Sequence, residues 1–188
     1  MSFFDTKQNS SVVSVSDYRL LAQKRLPKYL FDFIDGGAFN ELTRKSNTED
    51  FQLIQLRKRV LKDVTDINTE VEILGQKISQ PLVLAPIGFA GVYARRGEVQ
   101  AARAAEIAKV PFTLSAVSIC SIEEIKKSTS VPFWYQFYML KDKGFAIDLL
   151  DRAKNAGCPV LLLTVDLPKI GARHRYSRSI MIRLLQSL

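Results

Sequence analysis

Four short apolar runs beyond residue 80 alternate with segments of helical periodicity. The runs cover residues 81–86, 110–114, 131–138 and 160–165. Short, largely apolar strands separated by amphipathic helices are typical of successive parallel βα units. The pattern therefore predicts an α/β fold with about four βα units.

Three helices are predicted in this region, over residues 97–109, 121–128 and 143–156. The segment from Ser121 to Glu124 is a capping-box pattern, which favours a helix start there. Gly157 is placed to end the third helix. The run 160–163 is apolar on both faces, as expected of a buried parallel strand.

The first 80 residues predict helices followed by a β-hairpin. Ser16 is the predicted N-cap of the first helix, and Pro27 fits the first turn of the second. The predicted elements are helices over residues 17–25, from Pro27 to Gly36-Gly37 and over 40–51, an irregular segment over 53–64, and hairpin strands over 70–74 and 77–79. At the other end of the chain, residues 177–188 fit either a short basic amphipathic helix or a disordered end.

Composition is that of an ordinary soluble globular chain, with 47% hydrophobic and 24% charged residues among 188. It predicts a single domain spanning residues 1–188. Two cysteines without CxxC spacing predict neither a disulfide framework nor a metal site. No secretory signal or membrane-spanning stretch is recognisable, so we expect a cytoplasmic protein.

The net charge of +8 is uneven, because five bases and no acid follow Pro168. These bases are Lys169, Arg173, Arg175, Arg178 and Arg183. A basic segment attracts nucleic acid and anionic membrane surfaces alike. No nucleic-acid-binding motif accompanies it, so a solvated loop and tail is the favoured interpretation, with no nucleic-acid partner.

Polar residues stand at the ends of the predicted strands. They are Ser115, Gln136, Tyr138, Thr164 and Asp166, together with the segment Pro86, Ile87 and Gly88. In a parallel barrel these strand ends converge on one pocket. The Gln136 amide offers a donor and an acceptor, which suits the edge of a flat heterocycle such as a flavin. The hydroxyls of Ser115 and Thr164 can contact the same ligand or, equally, cap the following helices.

Two residues after the fourth run are also candidates. Arg173 can hold a substrate carboxylate in a bidentate pair, although an arginine in a basic loop is more often solvated. His174, the only histidine, has the chemistry of a general base. Its arginine neighbours and the lack of an evident orienting carboxylate favour a solvent-facing role instead. No lysine ends a strand in position for a Schiff base, which disfavours an aldolase.

Taken together, seven motifs resemble the FMN-dependent L-2-hydroxy-acid dehydrogenase and oxidase family. They are Leu26-Pro27-Lys28, Asp35-Gly36-Gly37-Ala38, Ala85-Pro86-Ile87-Gly88, Ala94-Arg95-Arg96-Gly97-Glu98, Thr113-Leu114-Ser115, Gln136-Phe137-Tyr138 and Thr164-Val165-Asp166-Leu167-Pro168. Within the family, residues 93–100 are most similar to the bacterial respiratory L-lactate dehydrogenases. The resemblance covers about residues 15–176, and residues 177–188 diverge from it.

The resemblance implies a (β/α)8 TIM-barrel family fold and FMN as the cofactor. It implies that Pro86, Ile87, Gly88, Ser115, Gln136 and Thr164 bind the flavin, and that Tyr138, Arg173 and Phe33 bind substrate. Phe33 stands where the family commonly has a substrate-contacting tyrosine. Asp166 matches the aspartate that orients the catalytic histidine. His174 does not match that histidine, which the family carries much further along its sequence.

The implied activity is oxidation of an L-2-hydroxy acid, foremost L-lactate to pyruvate, with electrons passing to a quinone. Oxygen as the acceptor is the alternative within the family. Peripheral association with the inner face of the cytoplasmic membrane and homo-oligomerisation are also implied.

The motifs match only the N-terminal half of such a protein: an N-terminal helical segment, a hairpin and about four βα units. We expect a truncated or frameshifted product that lacks the catalytic histidine and the FMN phosphate site, and is therefore inactive by itself. An alternative of another class is a non-catalytic half-barrel that self-associates through its open strand edges.

Overall fold

The computed structural model describes residues 12–166, 169 and 171–186, which fall into two compact units. One unit contains Met1–Lys58 and Lys169–Leu188, and the other contains Arg59–Pro168. The helices are α1 Val15–Arg25, α2 Lys28–Asp35, α3 Leu42–Glu49, α4 Ala90–Tyr93, α5 Gly97–Ala108, α6 Ile122–Ser128, α7 Lys143–Ala156 and α8 His174–Gln186, with a 3-10 turn at Asp50–Leu53. The strands are β1 Val71–Ile73, β2 Gln76–Ile78, β3 Thr113–Ser115, β4 Trp134–Tyr138 and β5 Leu161–Thr164.

The predicted helices of the first unit are confirmed, but the first N-cap is not Ser16. Helix α1 begins at Val15, and Ser14 is its N-cap with an extended backbone. The Asp17 carboxylate accepts hydrogen bonds from the backbone N–H of Ser14 at 2.7 Å and of Val13 at 2.8 Å. The helix starts early because Asp17 is the residue that closes the capping box.

Helix α8 shows that residues 177–186 are helical rather than disordered. Its Ser179 is buried and donates a hydrogen bond to the equally buried carboxylate of Asp32 in α2. Arg175 pairs with Asp35 at 2.9 Å and with Glu41 at 3.1 Å. Helix α8 is therefore joined to α2 by paired charges, which is how a buried aspartate is tolerated.

In the second unit, the hairpin is confirmed as the antiparallel pair β1 and β2. Strands β3, β4 and β5 form a parallel sheet in that order. The sheet is open, and the described strands do not close a barrel. None of the described helices is long and apolar enough to cross a membrane.

The run 81–86 was predicted to be a strand, and this is wrong. It contributes one isolated parallel bridge, between Leu84 and Phe112. Leu84 donates its N–H to the Pro111 carbonyl at 2.9 Å and accepts from the Thr113 N–H at 3.0 Å. Pairing stops there because prolines 81 and 86 have no N–H to donate.

The hydrophobic core lies between one face of this sheet and helices α5, α6 and α7. Leu114 of β3 and Ile125 of α6 are completely buried there. The prediction of a fully buried fourth strand is wrong, because Leu161 is 50% and Leu163 47% exposed. Strand β5 has a single sheet neighbour among the described strands, which leaves its flank open.

The charge pairs of α2 predict a pH-dependent contribution to stability. Asp35 accepts from Arg19 at 2.5 Å, and this bond, with that from Arg175, outweighs burial and holds the pKa of Asp35 below its usual value. A depressed carboxyl pKa stabilises the fold above the pH where an unfolded aspartate titrates, and the gain is lost as pH falls through the folded value. We expect Asp35→Asn to lower the free energy of unfolding by about 1–3 kcal/mol at pH 7.

Urea unfolding followed by circular dichroism at neutral and at strongly acidic pH measures this effect. Asp151→Asn, which removes the same charge from an exposed position on α7, is the matched control and should change little. The Asp35→Asn deficit should vanish in acid. An equal deficit at both pH values would contradict the charge-pair explanation.

Candidate functional site

Three polar side chains stand in a row at the carboxyl ends of the parallel strands. Ser115 of β3 is in register with Gln136 of β4, and Tyr138 of β4 is in register with Thr164 of β5. Ser115 and Gln136 are only 3% and 2% exposed. The structure thus brings together the three residues that the sequence predicted for a heterocycle.

The row is hydrogen-bonded throughout. Ser115 Oγ donates to Gln136 Oε1 at 3.0 Å, and Gln136 Nε2 donates to Thr164 Oγ1 at 2.9 Å. The backbone N–H of Ala116 also points at Gln136 Oε1, at 3.3 Å. Because a backbone N–H can only donate, this contact fixes the amide with its oxygen toward β3 and its nitrogen toward β5.

The row keeps donor capacity for a ligand. The second N–H of Gln136 Nε2 and the hydroxyl hydrogen of Thr164 have no acceptor among the described residues. Two donors side by side at the end of a sheet suit the acceptor atoms along the edge of a flat heterocycle. The chemistry of this set therefore fits a flavin ring.

Pro86, Ile87 and Gly88 follow the bridge at Leu84 and lie beside the loop after β3. Phe89 donates its N–H to the Val117 carbonyl at 3.0 Å. A Cβ at Gly88 would come within 2.8 Å of the Val117 side chain. The loop is thus pinned by the Phe89 hydrogen bond, and any side chain at position 88 would require Val117 to move.

Tyr138 and Asp166 continue the site beyond the row. Tyr138 is two residues after Gln136 and so shares its face of β4, where it is partly buried. Asp166 comes two residues after Thr164 and is exposed. The next two residues of its motif, at 167 and 168, lie outside the described residues.

In the first unit, Arg173 and Phe33 are brought together. Arg173 Nη1 donates to the carbonyl of Phe33 at 2.6 Å and to that of Gly36 at 3.2 Å. The guanidinium also lies 4.8 Å from the centre of the Phe33 ring. Arg173 therefore caps the carboxyl end of α2 and is not a freely solvated loop residue. His174 is exposed, as its sequence context favoured, with its ring edge-on to Phe39.

Sequence reasoning missed one buried acid of this region, Glu98. It is 2% exposed and accepts hydrogen bonds from the N–H groups of Gly91 and Ile119. A glutamate in the first turn of a helix is usually a solvated residue that favours the helix dipole. The one available signal was its place within the motif Ala94-Arg95-Arg96-Gly97-Glu98.

Comparison with known proteins identifies the class. Residues 22–186 match the family of FMN-dependent dehydrogenases. The chain is 51% identical over 168 residues to an L-lactate dehydrogenase of Alcaligenes faecalis, and 52% identical over 165 residues to one of Vibrio parahaemolyticus. These alignments cover 89% and 87% of this chain, and 44% of each relative.

Solved structures of a hydroxy-acid oxidase and a hydroxy-acid dehydrogenase also match this chain. A mandelate oxidase structure matches with a TM-score of 0.84 and 35% identity, over 89% of this chain and 50% of that one. A monotopic membrane protein, (S)-mandelate dehydrogenase, matches with a TM-score of 0.86 and 34% identity, over 91% of this chain and 46% of that one.

The chain belongs to the FMN-dependent dehydrogenase family. FMN is the cofactor of this family, and its members named here are oxidoreductases. The chain spans a little under half the length of the curated relatives it matches. The match to the family extends to residue 186 and so includes most of the segment 177–188.

Replacing Gln136, the central residue of the buried row, should lower the free energy of unfolding. Gln136→Leu keeps the volume but leaves the Ala116 N–H and the hydroxyls of Ser115 and Thr164 without their partner. We expect a loss of about 1–3 kcal/mol in the free energy of unfolding, because a buried polar group without a partner bears its desolvation cost. Gln100→Leu is the control, since that amide is exposed on α5. Equal stability of the two variants in urea titrations would contradict the arrangement.

Proposed function

We propose that this chain supplies the flavin-ring site and substrate-binding residues of an FMN-dependent L-lactate dehydrogenase, which oxidises L-lactate to pyruvate. The hydrogen-bonded row of Ser115, Gln136 and Thr164 carries the proposal. The identity of 51–52% to proteins named L-lactate dehydrogenase supports the choice of substrate. Bound FMN supplies the acceptor for the hydride taken from the hydroxy acid.

The row would hold the edge of the flavin ring. Gln136 and Thr164 would donate their free N–H and O–H to ring acceptors, while Ser115 holds the amide oxygen in place. Pro86, Ile87 and Gly88 would lay backbone along the ring, which the fixed position of this loop supports. The amide orientation is set before the ligand arrives, so little ordering would be needed on binding.

Arg173 and Tyr138 would each bind the substrate. With Arg173 Nη1 held by the carbonyls of Phe33 and Gly36, Nε and Nη2 are left to face a carboxylate. The Tyr138 hydroxyl would donate to the hydroxy-acid group. Phe33 lacks the hydroxyl that the family tyrosine would add, which weakens substrate binding by about 0.5–1.5 kcal/mol for one ordinary hydrogen bond.

Proton removal needs a base that these residues do not include. Asp166 would orient a histidine that takes the hydroxyl proton as the hydride leaves. His174 is the only histidine among the 188 residues, and it follows Arg173 directly. General acid-base catalysis contributes about 10²- to 10⁴-fold. We therefore expect these 188 residues alone to bind flavin without oxidising lactate at an appreciable rate.

The electron acceptor would be a quinone at the inner face of the cytoplasmic membrane. A structural neighbour described as a monotopic membrane protein supports peripheral association. Oxygen is the alternative acceptor, supported by a neighbour named mandelate oxidase. Homo-oligomerisation would follow the pattern of the full-length family.

A second candidate is a non-catalytic half-barrel that self-associates. The half-exposed Leu161 and Leu163 on β5 favour it, because an open apolar edge invites another chain. Dimerisation that depends on protein concentration and occurs without FMN would support this candidate.

The direct test is an FMN titration of the purified chain, followed anaerobically by L-lactate while the visible absorbance of the flavin is recorded. We expect saturable binding that Gln136→Leu weakens and Gln100→Leu does not, and no bleaching by lactate. Bleaching would contradict the expected inactivity of the chain. Absence of FMN binding would contradict the flavin site itself.

A further inference from the structure

Glu98 is a buried carboxylate that joins helix α4 to the loop after β3 through a single oxygen atom. Its Oε1 accepts from the Gly91 N–H at 3.0 Å and from the Ile119 N–H at 2.9 Å. Gly91 lies three residues after Gly88, and Ile119 lies four residues after Ser115. Glu98 thus ties helix α4, which follows the Pro86-Ile87-Gly88 segment of the proposed flavin site, to the loop that follows Ser115.

Helix α4 and the loop after β3 pack closely beside Glu98. A Cβ at Gly91 would come within 2.7 Å of Ile119 Cβ and 3.1 Å of Glu98 Oε2. The second carboxylate oxygen, Oε2, is buried and has no hydrogen-bond partner among the described residues. Displacement of Glu98 would therefore change the separation between helix α4 and this loop where they are in contact.

Glu98 keeps its charge although no cation is paired with it in the described residues. Burial opposes ionisation, but the backbone N–H groups of Ile119, Glu98 itself and Gly91 more than offset it, so the pKa of Glu98 is lowered. The neighbouring thiol of Cys120 stays neutral, because burial and the carboxylates of Glu98 and Glu124 raise its pKa to about 12. The position in the first turn of α5 adds the favourable field of a helix N-terminus.

An apolar side chain would fill this position at a lower desolvation cost. We propose that Glu98 is a positioning residue for the cofactor, which sets the separation between the Gly88 backbone and the Ser115 end of the row. The inference rests on the proposed function, since it assigns Glu98 to the flavin site described there. In this proposal Glu98 contacts helix α4 and the loop after β3, and acts on the cofactor through them.

Glu106 provides a matched comparison on the same helix. Its Oε1 also accepts a backbone N–H, from Ser130 at 2.9 Å, together with the hydroxyl of that serine. Ser130, however, lies in the loop before β4, at the opposite end of the strands from the row. If Glu98 only tied a loop to α5, substitutions at Glu98 and Glu106 should affect FMN binding equally. If Glu98 positions the cofactor, only the substitution at Glu98 should weaken FMN binding.

The test compares Glu98→Leu, Glu98→Gln and Glu106→Gln in the full chain. Amide hydrogen exchange by NMR without FMN should show Gly91 and Ile119 exchanging about tenfold faster or more in Glu98→Leu, the order expected for losing a hydrogen bond to a charged group. The Kd for FMN should rise by a similar factor, with a changed circular dichroism of the bound flavin. Glu98→Gln, which keeps an acceptor oxygen, should restore part of the amide protection and part of the FMN affinity. Glu106→Gln should match the unaltered chain in both measurements.

The outcomes distinguish failure of the proposed function from failure of the positioning role of Glu98. If the unaltered chain does not bind FMN, the proposed function fails. If it binds FMN and Glu98→Leu has the affinity and flavin spectrum of Glu106→Gln, the positioning role is overturned. Should Glu98→Leu fail to fold, Glu98→Gln decides, because loss of the negative charge alone should weaken FMN binding more than the same change at Glu106.

Discussion

The site depends on one constraint, which is that the oxygen and one N–H of the buried Gln136 amide must be hydrogen-bonded by the strands on either side. The parallel register pairs it with Ser115 on one side and Leu162 on the other, and Thr164, two residues beyond Leu162 on the same face of β5, is within hydrogen-bond distance of the amide. A slip of one residue in either pairing would turn these side chains to the opposite face and leave the amide without partners. Register and site are therefore specified together, and the open donors of Gln136 and Thr164 remain for the ligand.

In the first unit, too, a buried polar group is satisfied by a neighbouring element, here a carboxylate by paired charges. Asp32 is buried and Asp35 partly buried at α2, and Arg175 of α8 lies beside both. The carboxyl end of α2 is closed by Arg173, which uses one nitrogen for two carbonyls. Arg175 of α8 and Arg173 just before it are thus needed to satisfy α2, and these two arginines contact specific acids and carbonyls.

Much of this could be predicted from sequence where local signals are strong. Helix α7 has the bounds that were predicted, because the pattern of apolar residues and the left-handed Gly157 both mark it. The run 81–86 is apolar enough for a strand, but Pro81 and Pro86 lack the N–H groups that strand pairing requires. The exposure of Leu161 and Leu163 could not be predicted, since it depends on which strands lie beside β5. In the site, Ser115, Gln136 and Thr164 were identified singly, but their mutual bonding, the Arg173 cap and the burial of Glu98 arise from tertiary contacts.

The most direct measurement is NMR of the Gln136 side-chain amide while FMN is added to the chain. We expect the Gln136 NH₂ signals and the backbone N–H of Ala116 to shift progressively with FMN, and the exposed Gln100 amide to stay unchanged. Shifts confined to other parts of the chain, with Gln136 and Ala116 unaffected at saturating FMN, would contradict the claim that this row is the flavin site.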